Sequence, residues 1–145
     1  MELSIDTSTR QASIGLSQNG DIIAKTSWKS EQNHSKECFP KIIDLLEKTN
    51  LKSSDIHAVF VSKGPGGFSA LRVGISIAKS FAIGSKIPIV GVPSLDIEAY
   101  EFINDSKTVW AVINAGFNKI YVKKYTKNFE NPCELISTEK FYSYL

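Results

Sequence analysis

The stretch Lys63-Gly64-Pro65-Gly66-Gly67-Phe68-Ser69-Ala70-Leu71-Arg72 joins two contrasting sequence patterns. Before it, residues 57–62 (His-Ala-Val-Phe-Val-Ser) form a nearly continuous apolar run, which is typical of a buried central strand. After it, helical periodicity predicts a helix from Phe68 to Ile83 that ends at Gly84. The glycine-rich turn of Gly64, Pro65, Gly66 and Gly67 allows a sharp corner and brings backbone N–H groups to a helix N-terminus, where an anion can bind. The spacing favours an anion-binding loop and a plain tight turn about equally. The turn is not a Walker loop, because no Lys-Ser/Thr follows it at the required spacing.

The predicted helix over residues 68–83 carries two apolar stripes. The first stripe consists of Phe68, Leu71, Ile75, Ala78 and Ala82, and the second of Val73, Ile77 and Phe81. A surface helix on a small sheet needs only one such stripe, so the second requires its own cover. The cover is either a partner protein or the chain's own third helix or C-terminal segment, and periodicity favours neither. The small residues at every fourth position, Gly74, Ala78 and Ala82, would let another helix approach closely.

Upstream, the sequence predicts a meander of three strands over residues 3–6, 12–16 and 22–28. Asn19-Gly20 lies between the last two, and this dipeptide is a strong hairpin signal. A first helix follows, with Ser35 as its N-cap and Pro40 close behind, so that the helix starts late or is kinked. Its apolar face consists of Phe39, Ile42, Ile43 and Leu46.

Downstream, residues 87–92 predict a second buried strand, and residues 94–103 predict a third helix capped by Ser94. Residues 108–114 and 119–125 form a predicted hairpin, and a short strand is expected around residues 134–136. This order predicts an α/β fold with a mixed sheet and helices on both faces, as in the ribonuclease H-like architecture.

Composition predicts an ordinary globular chain. The 145 residues are 42% hydrophobic with a net charge of +2, which is too small to imply nucleic-acid binding by itself. Cys38 and Cys133 are expected to be unlinked thiols, and the two histidines have no metal-ligand spacing, so no metal or other cofactor is expected. The N-terminus lacks the features of a signal peptide and no apolar run could span a membrane, which predicts a cytoplasmic location.

The loop Asp6-Thr7-Ser8-Thr9 follows the first strand, where actin-like ATPases place a phosphate loop. Thr7 occupies the place of the glycine that lets the backbone reach a phosphate. We therefore interpret the loop as a tight turn and a vestigial phosphate loop. A ribonuclease H-like nuclease would use Asp6 to hold two Mg²⁺ ions, but one acid cannot hold both. An independent small ATPase or metal-dependent nuclease remains the alternative function.

Together these motifs resemble the TsaB (YeaZ) family over roughly residues 1–100. The resemblance is carried by residues 3–9 (Leu-Ser-Ile-Asp-Thr-Ser-Thr), by His34-Ser35, and by the run from Gly64 to Gly74. The family's usual form of that run is Gly-Pro-Gly-Ser-Phe-Thr-Gly-Leu-Arg-Ile-Gly, so this chain departs from it mainly at Gly67, Ser69 and Ala70. It departs again where Asn114-Ala115-Gly116 stands in place of the family's Asp-Ala-Arg.

The resemblance implies a ribonuclease H-like, actin-like ATPase (ASKHA) fold, with an N-terminal domain over residues 1–104 and a truncated second lobe over residues 105–145. It implies a non-catalytic subunit of the machinery that makes threonylcarbamoyladenosine in transfer RNA. That subunit pairs with the transferase TsaD, or with a second TsaB when alone. TsaC supplies the activated intermediate, the ATPase TsaE docks on the pair, and transfer RNA is reached through the complex. The implied partner interface comprises Phe39, Ile42, Ile43, Leu46, Leu71, Arg72, Ile75, Ala78, Lys79 and Ala82.

Overall fold

The computed structural model describes residues 1–31, 33–103, 108–126 and 129–144. The chain divides into two compact units, the first of residues 1–63 and 67–92 and the second of residues 64–66 and 93–145. This division falls before the third helix, whereas the sequence analysis placed a boundary after it. The predicted boundary between residues 104 and 105 itself lies outside the described residues.

The first unit is built on a five-stranded mixed sheet. Its strands are β1 (Glu2–Asp6), β2 (Gln11–Gln18), β3 (Asp21–Lys29), β4 (Ala58–Ser62) and β5 (Ile89–Val92), in the order β3-β2-β1-β4-β5. The strands β1, β2 and β3 form an antiparallel meander, and β4 and β5 continue the sheet in parallel with β1. The predicted hairpin is confirmed, since Asn19 and Gly20 have φ angles of 54° and 92°.

The core of this unit lies on one face of the sheet. Leu3 and Ile5 of β1 are 0% and 1% exposed, because alternate residues of a strand point to the same face. Two helices cover that face, α1 (His34–Lys48) and α2 (Phe68–Ser85). A short 3₁₀ turn (Ser53–Asp55) precedes β4.

The start of α1 and the end of α2 differ from the sequence-based expectation. Helix α1 begins at His34 with Asn33 as its N-cap, so the prediction of Ser35 as the cap was wrong. Pro40 lies inside α1, between the buried core residues Cys38 and Ile42 of the same helix. Helix α2 continues past Gly84 and ends where Lys86 adopts a left-handed conformation with φ 55°.

The strand β5 was expected to be buried, but Ile89 and Val90 are 38% and 43% exposed. The reason is topological. β5 is the terminal strand of the sheet order, and among the described strands it pairs with β4 alone. Apolar composition alone does not distinguish a central strand from an edge strand.

The second unit contains α3 (Ser94–Ala99), β6 (Val109–Gly116), β7 (Lys119–Thr126), β8 (Phe129–Glu130), β9 (Glu134–Ser137) and α4 (Thr138–Tyr142). The hairpin of β6 and β7 is confirmed, and β7 also pairs with β8 and β9 in antiparallel fashion. Ser94 does not cap α3, because Pro93 is the N-cap and the Ser94 side chain is buried. Within the described ranges, no helix of either unit is long and apolar enough to cross a membrane.

The inner stripe of α2, formed by Gly74, Ala78 and Ala82, faces the sheet of its own unit. Ala78 and Ala82 are 0% and 4% exposed. Thr7, which follows β1, is fully buried against this stripe, and a Cβ atom added at Gly74 would collide with Thr7 Oγ1. The small residues therefore bring α2 close to β1 and the loop behind it, within one chain.

We predict that Gly74→Ala destabilises the protein by about 1–3 kcal/mol, because the new methyl group overpacks the contact with Thr7. Gly84→Ala is the matched control on the same helix, since a Cβ there meets nothing within 4 Å. It should be neutral or stabilise the helix by up to about 1 kcal/mol. Chemical denaturation of both variants measures the difference, and equal effects would contradict the packing described.

A second prediction concerns Cys38, whose side chain is buried in the core. Burial raises the pKa of the Cys38 thiol from 9.0 to about 11. Between pH 9 and pH 11, the Cys38 thiol therefore keeps its proton in the folded state and loses it in the unfolded state. The resulting stability is complete below pH 9 and falls as the pH rises towards 11, by about 1.4 kcal/mol per pH unit.

Denaturation from pH 8 upward checks this prediction. Cys38→Ala should flatten the decline in unfolding free energy, whereas Cys133→Ala, which removes the exposed thiol, should change it less. Identical pH profiles for the native protein and Cys38→Ala would contradict it.

Candidate functional site

The loop Asp6–Thr9 is closed by its own hydrogen bonds. The Asp6 carboxylate accepts a hydrogen bond from the backbone N–H of Ser8 at 2.8 Å. The Thr9 hydroxyl donates to the carbonyl of Gln11 at 3.1 Å and accepts from its N–H at 3.2 Å. These contacts give the loop the geometry of a tight turn, within which the Ser8 hydroxyl is buried and has no hydrogen-bond partner among the described residues.

Thr7 ties this loop to α2. Its hydroxyl donates to the carbonyl of Ala70 at 2.8 Å, and its backbone N–H points to the Ser62 hydroxyl at 3.4 Å. At the start of α2, the backbone N–H of Gly67 donates to the carbonyl of Ser8 at 2.9 Å. The backbone N–H groups of Thr7 and Gly67 therefore bond to groups of this chain. In a nucleotide-binding loop, such donors would have to face a phosphate.

The corner before α2 depends on a glycine. Gly64 has a φ of 97°, in the left-handed region that side chains rarely adopt. The structure therefore supplies a conformational reason for a glycine here that needs no ligand.

The structure does not place the sequence-predicted interface residues on one surface. Ile42, Leu46, Ala78 and Ala82 are buried in the core of their own unit, so their assignment to an outer surface is corrected. Phe39 and Ile43 on α1 are exposed, as are Arg72 and Lys79 on α2. Leu71 and Ile75 are half-buried. The small-residue stripe belongs to the core, and a partner would meet a different face of α2.

That other face forms a groove between α1 and α2 with a volume of about 720 Å³. Its apolar lining includes the outer stripe of α2, formed by Val73, Ile77 and Phe81, together with Phe39 of α1. Its polar lining comes from hydroxyl groups and one guanidinium: Ser35, Ser69, Arg72, Ser76 and Ser80. The outer stripe is half-buried and Phe39 is 54% exposed, so apolar surface remains open to water. An open apolar groove of this kind is typical of a protein-interaction surface.

Arg72 supplies the charge of the groove. Its guanidinium lies 5.4 Å from the ring centroid of Phe68, and none of the described residues that line the groove is acidic. At the start of α1, the Glu37 carboxylate accepts a hydrogen bond from the Trp28 indole at 2.9 Å. Hydrogen bonds from Ser30 and Trp28 lower the pKa of Glu37, and this carboxylate is engaged with the strand side of α1.

Sequence analysis found the outer stripe of α2 and considered a partner protein as its cover, but the interface residues implied by the resemblance did not include it. The signal was present, since Val73, Ile77 and Phe81 recur at every fourth position. The serines between them were missed because a hydroxyl carries no periodic apolar signal. Ser35 was interpreted as a cap and is instead a lining residue.

The second unit has a smaller cavity of about 470 Å³. Asp96 and Lys123 form an ion pair there at 2.8 Å, and Cys133 lies beside them. The residues that the structure describes contain no group of three or more His, Cys, Asp or Glu side chains placed to hold a metal ion.

Comparison with known proteins connects the chain with a family. Residues 23–141 match the family model described as TsaD: tRNA N6-adenosine threonylcarbamoyltransferase. A relative named tRNA threonylcarbamoyladenosine biosynthesis protein TsaB, from Buchnera aphidicola subsp. Acyrthosiphon pisum (strain APS), is 34% identical over 128 residues, which are 87% of this chain and 58% of the relative. The protein of the same name from Escherichia coli (strain K12) is 30% identical and matches 87% of this chain and 55% of its own.

The fold is likewise similar to a solved structure, YeaZ from Pseudomonas aeruginosa, with a TM-score of 0.82, 24% identity, and coverage of 96% of this chain and 68% of that one. The ribonuclease H-like, actin-like fold expected from the sequence is thereby confirmed. The chain spans just over half the length of the curated relatives it matches. Since the family model covers most of the chain and both curated relatives carry the same name, the chain belongs to this threonylcarbamoyladenosine family and to its TsaB (YeaZ) group.

Proposed function

We propose that this chain is a non-catalytic, activating subunit of the machinery that makes threonylcarbamoyladenosine in transfer RNA, and that it pairs with TsaD. The observation that carries the proposal is the open apolar groove between α1 and α2. A partner helix laid into this groove would cover Phe39 and the outer stripe of α2. A second copy of this chain would occupy the same surface more weakly, when TsaD is absent.

The contacts of the groove suit a helix of a partner protein. Phe39 and Ile43 project from α1, and the outer stripe of α2 runs beside them over more than two helical turns. A helix that packs its apolar ridge into this groove would bury both sets of side chains. Stable interfaces bury about 800 Å² per partner, and flanking exposed residues such as Lys79 would contribute to the rim.

The closed loops support the non-catalytic part of the proposal. In a nucleotide-binding member of this fold, the backbone behind β1 must approach a phosphate. Here the Thr7 side chain fills that position and bonds to α2, and the Gly67 N–H is bonded to Ser8. The reaction itself would take place on TsaD, with TsaC supplying the activated intermediate and TsaE docking on the pair. The chain would work in the cytoplasm and meet transfer RNA through the complex.

We predict that Phe39→Arg weakens binding to TsaD by at least about tenfold, because a charge replaces an exposed aromatic anchor of the groove. Isothermal titration of purified TsaD measures the dissociation constant. Threonylcarbamoyladenosine formed by the reconstituted set should fall in parallel. Ala78→Arg is unsuitable here, since Ala78 is fully buried and its replacement would unfold the chain.

Phe117→Arg is the matched control, because Phe117 is fully exposed at the turn between β6 and β7. Neither substitution removes a core side chain, so both variants should keep the native melting temperature. Equal affinity of the two variants for TsaD would argue against this placement of the interface.

We also predict that Mg-ATP at millimolar concentration shifts the Tm of the isolated chain by less than about 1 °C, since a ligand stabilises a protein only when it binds the folded state. Differential scanning fluorimetry checks this, with TsaE as a nucleotide-binding control in the same assay. A saturable shift accompanied by ATP turnover would instead favour an independent ATPase.

A further inference from the structure

Arg72 is a charged group on a surface that a partner is proposed to cover. It lies in the groove one turn into α2, is exposed to water, and has Phe68 beside it. Over the residues that the structure describes, the recorded ion pairs are Lys48 with Asp44 and Lys123 with Asp96, so Arg72 has no carboxylate partner of its own there. Water solvates the guanidinium in the free chain, and any partner that covers the groove removes that water.

Removing water from a charge is unfavourable unless an opposite charge replaces it. A guanidinium presents donors in a fixed fork that matches a carboxylate with two parallel hydrogen bonds. The serine hydroxyls of the groove are neutral acceptors and compensate a buried cation less well. A partner that fits this groove therefore needs an Asp or Glu side chain opposite Arg72.

A second copy of this chain does not meet that need through its own groove. A two-fold pair places the same surface on both subunits, so the groove of one copy faces the groove of the other. Within the part of the chain that the structure describes, the lining residues include Arg72 and no acid. Among the acids of α1, Glu37 is bonded to Trp28 and Asp44 to Lys48, and Glu47 does not line the groove.

We propose that Arg72 determines the partner specificity of this surface: it favours a partner helix that carries a carboxylate and disfavours pairing with a second copy of this chain. The inference rests on the proposed function and adds to it the chemistry of the partner's contacting residue. The Arg72 side chain would thus have two effects on specificity. It would form an ion pair with the correct partner, and it would remain unpaired and unfavourable in a self-associated pair.

The test compares Arg72→Leu with Arg10→Leu in the full chain. Arg10 is also an exposed arginine, lies in the turn before β2, and does not line the groove. Arg72→Leu should raise the dissociation constant for TsaD by roughly 10- to 100-fold, the range expected for hydrogen bonds to a charged group. In sedimentation equilibrium without TsaD, the same variant should self-associate at least about tenfold more tightly than the native chain, because the unpaired charge is gone. Arg10→Leu should stay within about threefold of native in both measurements.

The two measurements separate this inference from the proposed function. If native protein binds TsaD but Arg72→Leu binds it equally well, the inference is overturned and the proposed function stands. If native protein does not bind TsaD, the proposed function fails. The sedimentation measurement alone then tests the inference about Arg72. Unchanged self-association of Arg72→Leu then overturns the inference too, whereas tighter self-association supports selection of another carboxylate-bearing partner.

Discussion

The close contact between Thr7 and Gly74 fixes the rotation of α2 on the sheet. Gly74 must face the loop behind β1, because a larger residue would collide with the Thr7 hydroxyl. Once Gly74 faces inward, Ala78 and Ala82 follow it at four-residue spacing and become part of the core. The outer stripe of α2 is then turned away from the sheet towards α1. One steric constraint thus decides which apolar stripe is buried and which lines the groove.

The same contact accounts for the closure of the loop behind β1. Thr7 donates its hydroxyl hydrogen to the Ala70 carbonyl, and the Gly67 N–H bonds to the adjacent Ser8 carbonyl. Backbone donors bonded within the chain are not available to a phosphate without breaking these bonds. In this chain, the loop behind β1 and the start of α2 use these bonds to hold each other in place.

Much of this architecture could be predicted from the sequence, because it follows from local patterns. Asn19-Gly20 predicted the hairpin, and the change from alternating to helical periodicity predicted α1, β4 and α2. The orientation of α2 could not be predicted, since small residues at every fourth position suit a close approach to a partner helix and to the chain's own sheet equally well. The distinction lies in Thr7, which is distant in sequence and contacts Gly74 only in the folded chain. The exposure of β5 was missed for a similar reason, because strand order is a long-range property.

If a partner covers the groove, its polar lining residues would make the contact more specific than its apolar residues alone could. Apolar contacts such as those of Phe39 contribute affinity with little regard to the partner's identity, because burial of apolar surface is non-directional. A guanidinium on the same surface adds a directional requirement, since it must be matched when water leaves. A subunit that pairs with its own copy and with a different protein, as proposed for this chain, would need such a requirement, because shape alone would not distinguish the two. Placing the charge on α2, whose rotation the core already fixes, holds that requirement at a constant position relative to the groove.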